Sequence, residues 1–166
     1  MARVGLISDT HGLVRPEALA RLAGVDAIVH AGDVGGPVVL EALGRLAPVT
    51  VVRGNNDVGP WAATIPPTAR LEIAGVTIYV VHALVDLDVD PAACGIRVVV
   101  SGHSHRPAVE ERAGVLYVNP GSAGPRRFTL PIALAELDVA GAALRARIVE
   151  ITPAVRSSTR RTRRVA

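Results

Sequence analysis

Five short apolar runs in this chain each lead into a residue able to bind a proton or a metal ion. That recurrence constrains the fold more than any other feature of the sequence. The first, Val4–Ile7, leads into Ser8-Asp9-Thr10-His11-Gly12. Ala27–His30 precedes Ala31-Gly32-Asp33, and Val49–Val52 precedes Arg53-Gly54-Asn55-Asn56-Asp57. Val76–Val81 runs into His82, and Val98–Ser101 into Gly102-His103-Ser104-His105. Bounded runs of this length read as buried strands. In open α/β folds ligands bind beyond the carboxyl ends of such strands. Asp9 and His11 lie two apart, which in an extended segment sets them on the same side.

The residues between the runs predict how they connect. Pro16 suits a first helical turn, Glu17 to Leu22 has helical spacing, and Gly24 can end the helix. A second helix is expected from Pro37 to Leu46, with Val39, Leu40, Leu43 and Leu46 on one face. Residues 58–69 read as a loop whose Trp61 covers the core. Hairpins follow, Arg70–Ile73 with Val76–Val81 around Ala74-Gly75, then Val109-Glu110 with Val115–Val118. Asp86 to Asp90 reads as a solvated loop, and a short helix is expected around Pro91 to Cys94. Ile132–Leu137 and Ala143–Ile151 alternate as edge or two-sided strands do. A βαβαβ opening followed by a β-rich remainder fits two packed sheets with helices outside.

The chain's 166 residues suit one domain, expected at 1–153. Every basic residue is arginine, and five of the eighteen fall between Arg156 and Arg164. Without those five, thirteen arginines face fifteen acids, so the body is slightly acidic. Residues 154–166 are expected to form a disordered Arg-rich tail. It lacks the interleaved aromatics of a stacking surface, so nucleic acid is not the expected partner. No apolar stretch reaches the roughly 18–20 residues of a membrane span. The single cysteine, Cys94, fits a reducing cytoplasm and is expected as a small buried or half-buried residue.

The strand ends carry Asp9, His11, Asp33, Asn55, His82, His103 and His105, which include four of the five histidines. Each has an ordinary structural explanation: Asp33 as a helix cap, Asn55 as a turn residue, His82 as a core histidine. Together they are better explained as metal ligands, because ionisable groups at the ends of buried strands are costly unless paired or metal-bound. Seven donors exceed the needs of one zinc ion. They suit two divalent ions about 3.5–4 Å apart, which activate a bridging water and clamp a phosphoryl group. Asp33, alone on its strand end, is the natural bridging carboxylate. No phosphate-binding loop of the G-x-x-x-x-G-K-[ST] type and no G-x-S-x-G elbow is present. His30 and Asp57 are candidates for orienting ligands. Arg53 is expected to pair with a carboxylate, and Arg126 and Arg127 are candidate phosphate contacts.

Asp9-x-His11, Gly32-Asp33, Gly54-Asn55-x-Asp57, His82 and Gly102-His103-Ser104-His105 together resemble the calcineurin-like metallophosphoesterases, in their small YfcE-type form. Asn119-Pro120-Gly121-Ser122, followed by Pro125-Arg126, resembles the closing motif of that family. The resemblance spans roughly residues 3 to 151. It implies a four-layer α/β/β/α sandwich of two mixed sheets flanked by helices. It implies Asp9, His11, Asp33 and His105 on one ion, and Asp33, Asn55, His82 and His103 on the other. Manganese is the expected metal, with iron, nickel or zinc as alternatives. The implied activity is phosphodiester hydrolysis by a metal-bridging hydroxide, on a small-molecule or nucleotide substrate. Asn56 stands where the wider superfamily often has a histidine that protonates the leaving group. Ala83-Leu84 follows His82, where relatives often have Gly and a polar residue. The alternatives are a phosphomonoesterase, a cyclic-nucleotide phosphodiesterase, or a non-catalytic interaction scaffold, as in the retromer subunit of this fold. The edge strands and Trp61 are compatible with a homodimer.

Overall fold

The strand ends gather at one edge because six of the strands run in parallel pairs. The structure, a computed structural model, describes residues 1–153, and the Arg-rich segment 154–166 lies outside the described residues. Strand β1 (Ala2–Ile7) is followed by helix α1 (Pro16–Leu22), β2 (Ala27–His30), helix α2 (Pro37–Gly44) and β3 (Val49–Val51). Both helices begin at a proline, whose missing N–H costs nothing in a first turn. Strands β1, β2 and β3 pair in parallel, Leu6 opposite Val29 and His30 opposite Val51. The first sheet is completed by β9 (Ala133–Ala140), antiparallel to β1, and by β10 (Ala143–Glu150), giving the order β10-β9-β1-β2-β3.

The second sheet contains β4 (Thr68–Ile73), β5 (Val76–Val81), β6 (Val98–Val100), β7 (Ala108–Arg112) and β8 (Val115–Asn119), in the order β4-β5-β6-β8-β7. Here β5, β6 and β8 are parallel. The β4–β5 hairpin turns through Ala74 (φ 50°) and Gly75 (φ 77°), the two left-handed residues that match the twist of the strands.

Alternation along each strand divides the apolar residues into layers. Val4, Leu6 and Val29 from the first sheet meet Ile78, Val80, Val98 and Val100 from the second in the central core. On the far side of the first sheet, Ile7 and Ile28 pack against Ala18 and Leu22 of α1 and Val39 and Leu43 of α2. Truncating a fully buried residue such as Ile28 to alanine costs about 2–5 kcal/mol. On the far side of the second sheet, Tyr79, Val81, Val99 and Val115 are covered by Leu84, Leu87, Val89 and Ile96.

The four layers are therefore present, but the fourth is thin. It consists of a single 3₁₀ turn at Leu84–Asp86 and turns at 91–95. The helix expected at Pro91 to Cys94 does not form. Cys94 N–H reaches Asp90 O, but Ile96 N–H folds back to Pro91 O after Gly95 turns left-handed at φ 69°. Cys94 is exposed on this turn, not buried. The second helix stops at Gly44, short of Leu46. Strand β10 is the expected edge, whereas β9 is central and buried on both faces between β10 and β1. Its buried Glu136 pairs with Arg147 of β10. Trp61 packs with the helical layer, as expected of a core cover.

Candidate metal centre

The seven predicted donors meet at one rim, and unusual backbone conformations bring them there. Among the described residues eight non-glycine residues have positive φ, and five of these are Asp9 (52°), His11 (47°), Asp33 (53°), His103 (65°) and His105 (57°). Each such residue costs of order 1–3 kcal/mol, and strain of this kind gathers at functional sites. Asp9 and His11 thus converge through left-handed turns, not through the extended segment that their spacing predicts. The turns are laced together by Asp9 N–H to Gly32 O (3.0 Å), His11 N–H to Asp33 O (2.9 Å) and Gly12 N–H to Val34 O (2.7 Å).

Two groups of ligand atoms result, Asp9 with His11 and His105, and Asp9 with Asp33 and His82, each within 4.8 Å. Asp33 faces both ways: Oδ2 lies 3.9 Å from His11 Nε2, and Oδ1 lies 3.5 Å from His82 Nε2. Asn55 Oδ1 lies 3.0 Å from both His82 Nε2 and His103 Nδ1. Asp33 does not cap α2, whose first residues follow Gly36 without a side-chain cap. Asn55 is not left-handed.

The donor set fits divalent ions. Asp9 is wholly buried, and its Oδ1 has no hydrogen-bond partner among the described residues. His105 Nε2 lies 3.2 Å from that oxygen without hydrogen-bond geometry, as two lone pairs directed at a common point would. His82 Nδ1 donates to Ala31 O at 2.8 Å, which leaves the Nε2 lone pair facing the site. A carboxylate and imidazoles suit a divalent transition metal, but do not choose among them.

The charges follow from burial and donors. Burial is the largest influence on Asp9 and raises its pKa, against the Ser8 hydroxyl and His105. Ser8 Oγ lies 2.7 Å from both Asp9 Oδ2 and Gly121 O. Burial also acts upward on Asp33, but there the donors win. Asn56 N–H (2.8 Å to Oδ1), Asn56 Nδ2 (2.6 Å to Oδ2) and the nearby His82 and His11 hold it below the ordinary carboxylate value. Asn56 is therefore turned onto Asp33. Burial lowers the His105 pKa, with Asp9 opposing.

Supporting residues fix the loops. Asp57 accepts three backbone N–H groups, from Val34 (3.1 Å), Gly35 (2.8 Å) and Gly54 (2.8 Å), and so ties the Asp33 loop to the Asn55 loop. His30 touches no donor of the set. It holds Thr10 Oγ1 at 2.9 Å, and Thr10 in turn donates to Val34 O. Several close approaches around the site require glycine, two of them against carboxylates of the donor set. A Cβ on Gly102 would meet Asp9 Oδ2 at 2.7 Å, and one on Gly54 would clash with Asp33 N and Oδ1.

Arg127 reaches the site, with Nη2 3.4 Å from His11 Nε2, while Arg126 donates to Leu130 O on its own loop. Arg53 lines a cleft beside His82 and forms no ion pair among the described residues, contrary to its expected pairing. The roles of three groups emerge only in the structure: Ser8, Ser122, whose Oγ donates to Asp9 O (2.9 Å), and Asn119, whose Nδ2 donates to Gly102 O (2.7 Å). Their sequence signal is position, next to Asp9 or within Asn119-Pro120-Gly121-Ser122.

The domain model of the calcineurin-like phosphoesterase superfamily matches residues 2–141. A probable metallophosphoesterase of Methanocaldococcus jannaschii is 34% identical over 132 residues, covering 72% of this chain and 67% of that protein. The structure of an archaeal phosphodiesterase superposes with a TM-score of 0.73 at 23% identity, covering 89% of this chain and 99% of the other. Vacuolar protein sorting 29 of Cryptosporidium parvum superposes with a TM-score of 0.71 at 20% identity, covering 91% and 98%. No helix among the described residues is long and apolar enough to cross a membrane.

Proposed function

This chain belongs to the calcineurin-like phosphoesterase superfamily and is a metallophosphoesterase, and from that premise we propose that it hydrolyses phosphodiesters at a dinuclear metal centre. The observation that carries this reading is Asp33, whose two oxygens face different histidines, His11 and His82. Asp9, His11, Asp33 and His105 would hold one divalent ion, and Asp33, Asn55, His82 and His103 the other. Manganese is the first choice of metal, then iron, nickel or zinc. When bound, such a pair lowers the pKa of water to near neutrality and offsets charge on the phosphoryl oxygens.

The chain's own residues do the rest. Asn56 keeps Asp33 ionised and fixed through two hydrogen bonds. The Ala31 carbonyl fixes the His82 tautomer. Arg127, beside His11, offers a guanidinium to a phosphoryl oxygen. Water is the nucleophile, because Ser8 is buried against Asp9 and Gly121, and Cys94 is on the surface turn. Asn56 cannot supply a proton to the departing alcohol, so diesters with good leaving groups are the best substrates.

The test is hydrolysis of bis-p-nitrophenyl phosphate by metal-stripped protein, with and without added manganese, alongside Asp33→Ala. The proposal predicts activity only with metal, its loss in the variant, and slower hydrolysis of p-nitrophenyl phosphate. A faster monoester rate would make the enzyme a phosphomonoesterase. Folded protein inactive with manganese, iron, nickel and zinc would make the fold an interaction scaffold here.

A further inference from the structure

Two clefts meet at His103 and share Ala83 and Val85, and the rest of their linings differ in a way that selects a substrate. One, of about 480 Å³, passes His82 and Asn55 and carries Asp86 and Asp88 against Arg53. The other, of about 430 Å³, starts at Gly102-His103-Ser104 and runs over the outer face of the second sheet to Tyr117 and Arg112. It exists because the fourth layer is thin. Leu84 and Val85 form one wall, and the strands β8 and β7 lie open beyond them. Val85 is 89% exposed at the lip, an apolar residue without cover.

The second cleft is graded from polar to apolar to polar. Its inner end lies at a predicted metal ligand, where a phosphoryl group would sit. Its middle is built from Ala83, Leu84, Val85, Tyr117 and Val118. Its outer end has Arg106, Arg112 and Glu110. Arg112 lies over the Tyr117 ring at 5.0 Å and is paired with Glu110 at 2.5 Å, so the guanidinium extends the ring's surface toward the outer end. The volume is in the usual range for small-molecule sites. The outer arginines and glutamate offer both donors and acceptors to a polar ring edge, whereas the first cleft sets two carboxylates against one arginine.

We infer that the cleft between Leu84-Val85 and Tyr117-Arg112 binds the nucleoside arm of a phosphodiester whose phosphoryl group lies at the metal centre. The planar base packs on the apolar middle, and the charged outer groups meet its polar edge. This inference rests on the dinuclear hydrolase reading above, and it adds the substrate class.

The test compares two esters with the same leaving group, thymidine 5′-p-nitrophenyl phosphate and methyl p-nitrophenyl phosphate, on the manganese-loaded protein. The nucleoside ester should have the higher kcat/KM, by about tenfold or more, the effect of one stacked base. Arg112→Ala, on an exposed strand that lines this cleft alone, should reduce that preference through KM. Independently of turnover, adenosine 5′-monophosphate added to ¹⁵N-labelled protein should shift the amide signals of Leu84 and Tyr117, which line this cleft alone, and leave those of Asp86 and Asp88 in place. Metal-dependent hydrolysis of both esters with no preference, or shifts at Asp86 and Asp88 instead, would overturn the cleft assignment alone. Hydrolysis of neither ester would overturn the hydrolase reading, and the cleft assignment with it.

Discussion

His30 is fully buried, and its protonation state links the stability of the site loops to pH. Thr10 spends its hydroxyl proton on Val34 O, so His30 Nε2 must donate to Thr10 Oγ1. That leaves His30 Nδ1 as a bare acceptor with no partner among the described residues. A second proton would create a buried cation with nothing to receive its N–H. Burial accordingly lowers the His30 pKa from 6.5 to about 4, with Asp57 opposing. The unfolded chain therefore binds a proton that the native state refuses, between about pH 6.5 and 4. Native stability from this group is fully present above pH 6.5 and is lost as pH falls toward 4. Integrating the linkage between pH 7.5 and 5.0 gives a loss of about 2 kcal/mol. The assay is urea unfolding of EDTA-treated wild type and His30→Gln at both pH values. Other groups titrate in both proteins, so the difference between the two pH dependences isolates His30. The variant should be less stable at pH 7.5 and should lose about 2 kcal/mol less on acidification. Equal losses in the two proteins would refute the buried, neutral His30.

Three further outcomes follow from the geometry. Asp57→Ala strands the N–H groups of Val34, Gly35 and Gly54, and should cost about 3–5 kcal/mol in urea unfolding; a loss below 1 kcal/mol would contradict that role. Gly102→Ala places a methyl group against Asp9 Oδ2, so metal affinity measured by calorimetry should fall by about tenfold or more, the scale of disrupted ligand orientation. With Asn56 turned onto Asp33, log kcat for aryl methyl phosphates should decline steeply as leaving-group pKa rises, and a flat dependence would reveal an unrecognised proton donor.

The donors were legible in the sequence because burying a strand demands an apolar run, and each run stops where the chain reaches the rim. Asp9, Asp33, His82 and the His103/His105 pair are visible in this way as polar interruptions. Their three-dimensional approach was less legible. The spacing of Asp9 and His11 fits an extended segment, but both residues turn left-handed, an outcome fixed by hydrogen bonds to Gly32 and Asp33 on a neighbouring loop. Tertiary context also placed β9 in the middle of a sheet, since its Ala and Leu residues suit either position until β1 and β10 pair with it. Pro91 to Cys94 has the composition of a helix start, but too little chain precedes Gly95 for a helix to extend. Arg126 and Arg127 are indistinguishable as sequence; only the loop geometry aims Arg127 at His11 and turns Arg126 onto Leu130 O.

The most direct test of the dinuclear centre is a manganese titration of metal-stripped protein followed by electron paramagnetic resonance. Two ions sharing Asp33, as proposed, would lie about 3.5–4 Å apart and couple magnetically. The account predicts uptake of two equivalents per chain, an exchange-coupled multiline spectrum on completing the second, and loss of that spectrum in Asp33→Ala. Saturation at one equivalent, or two equivalents giving only the six-line signal of isolated manganese, would contradict it.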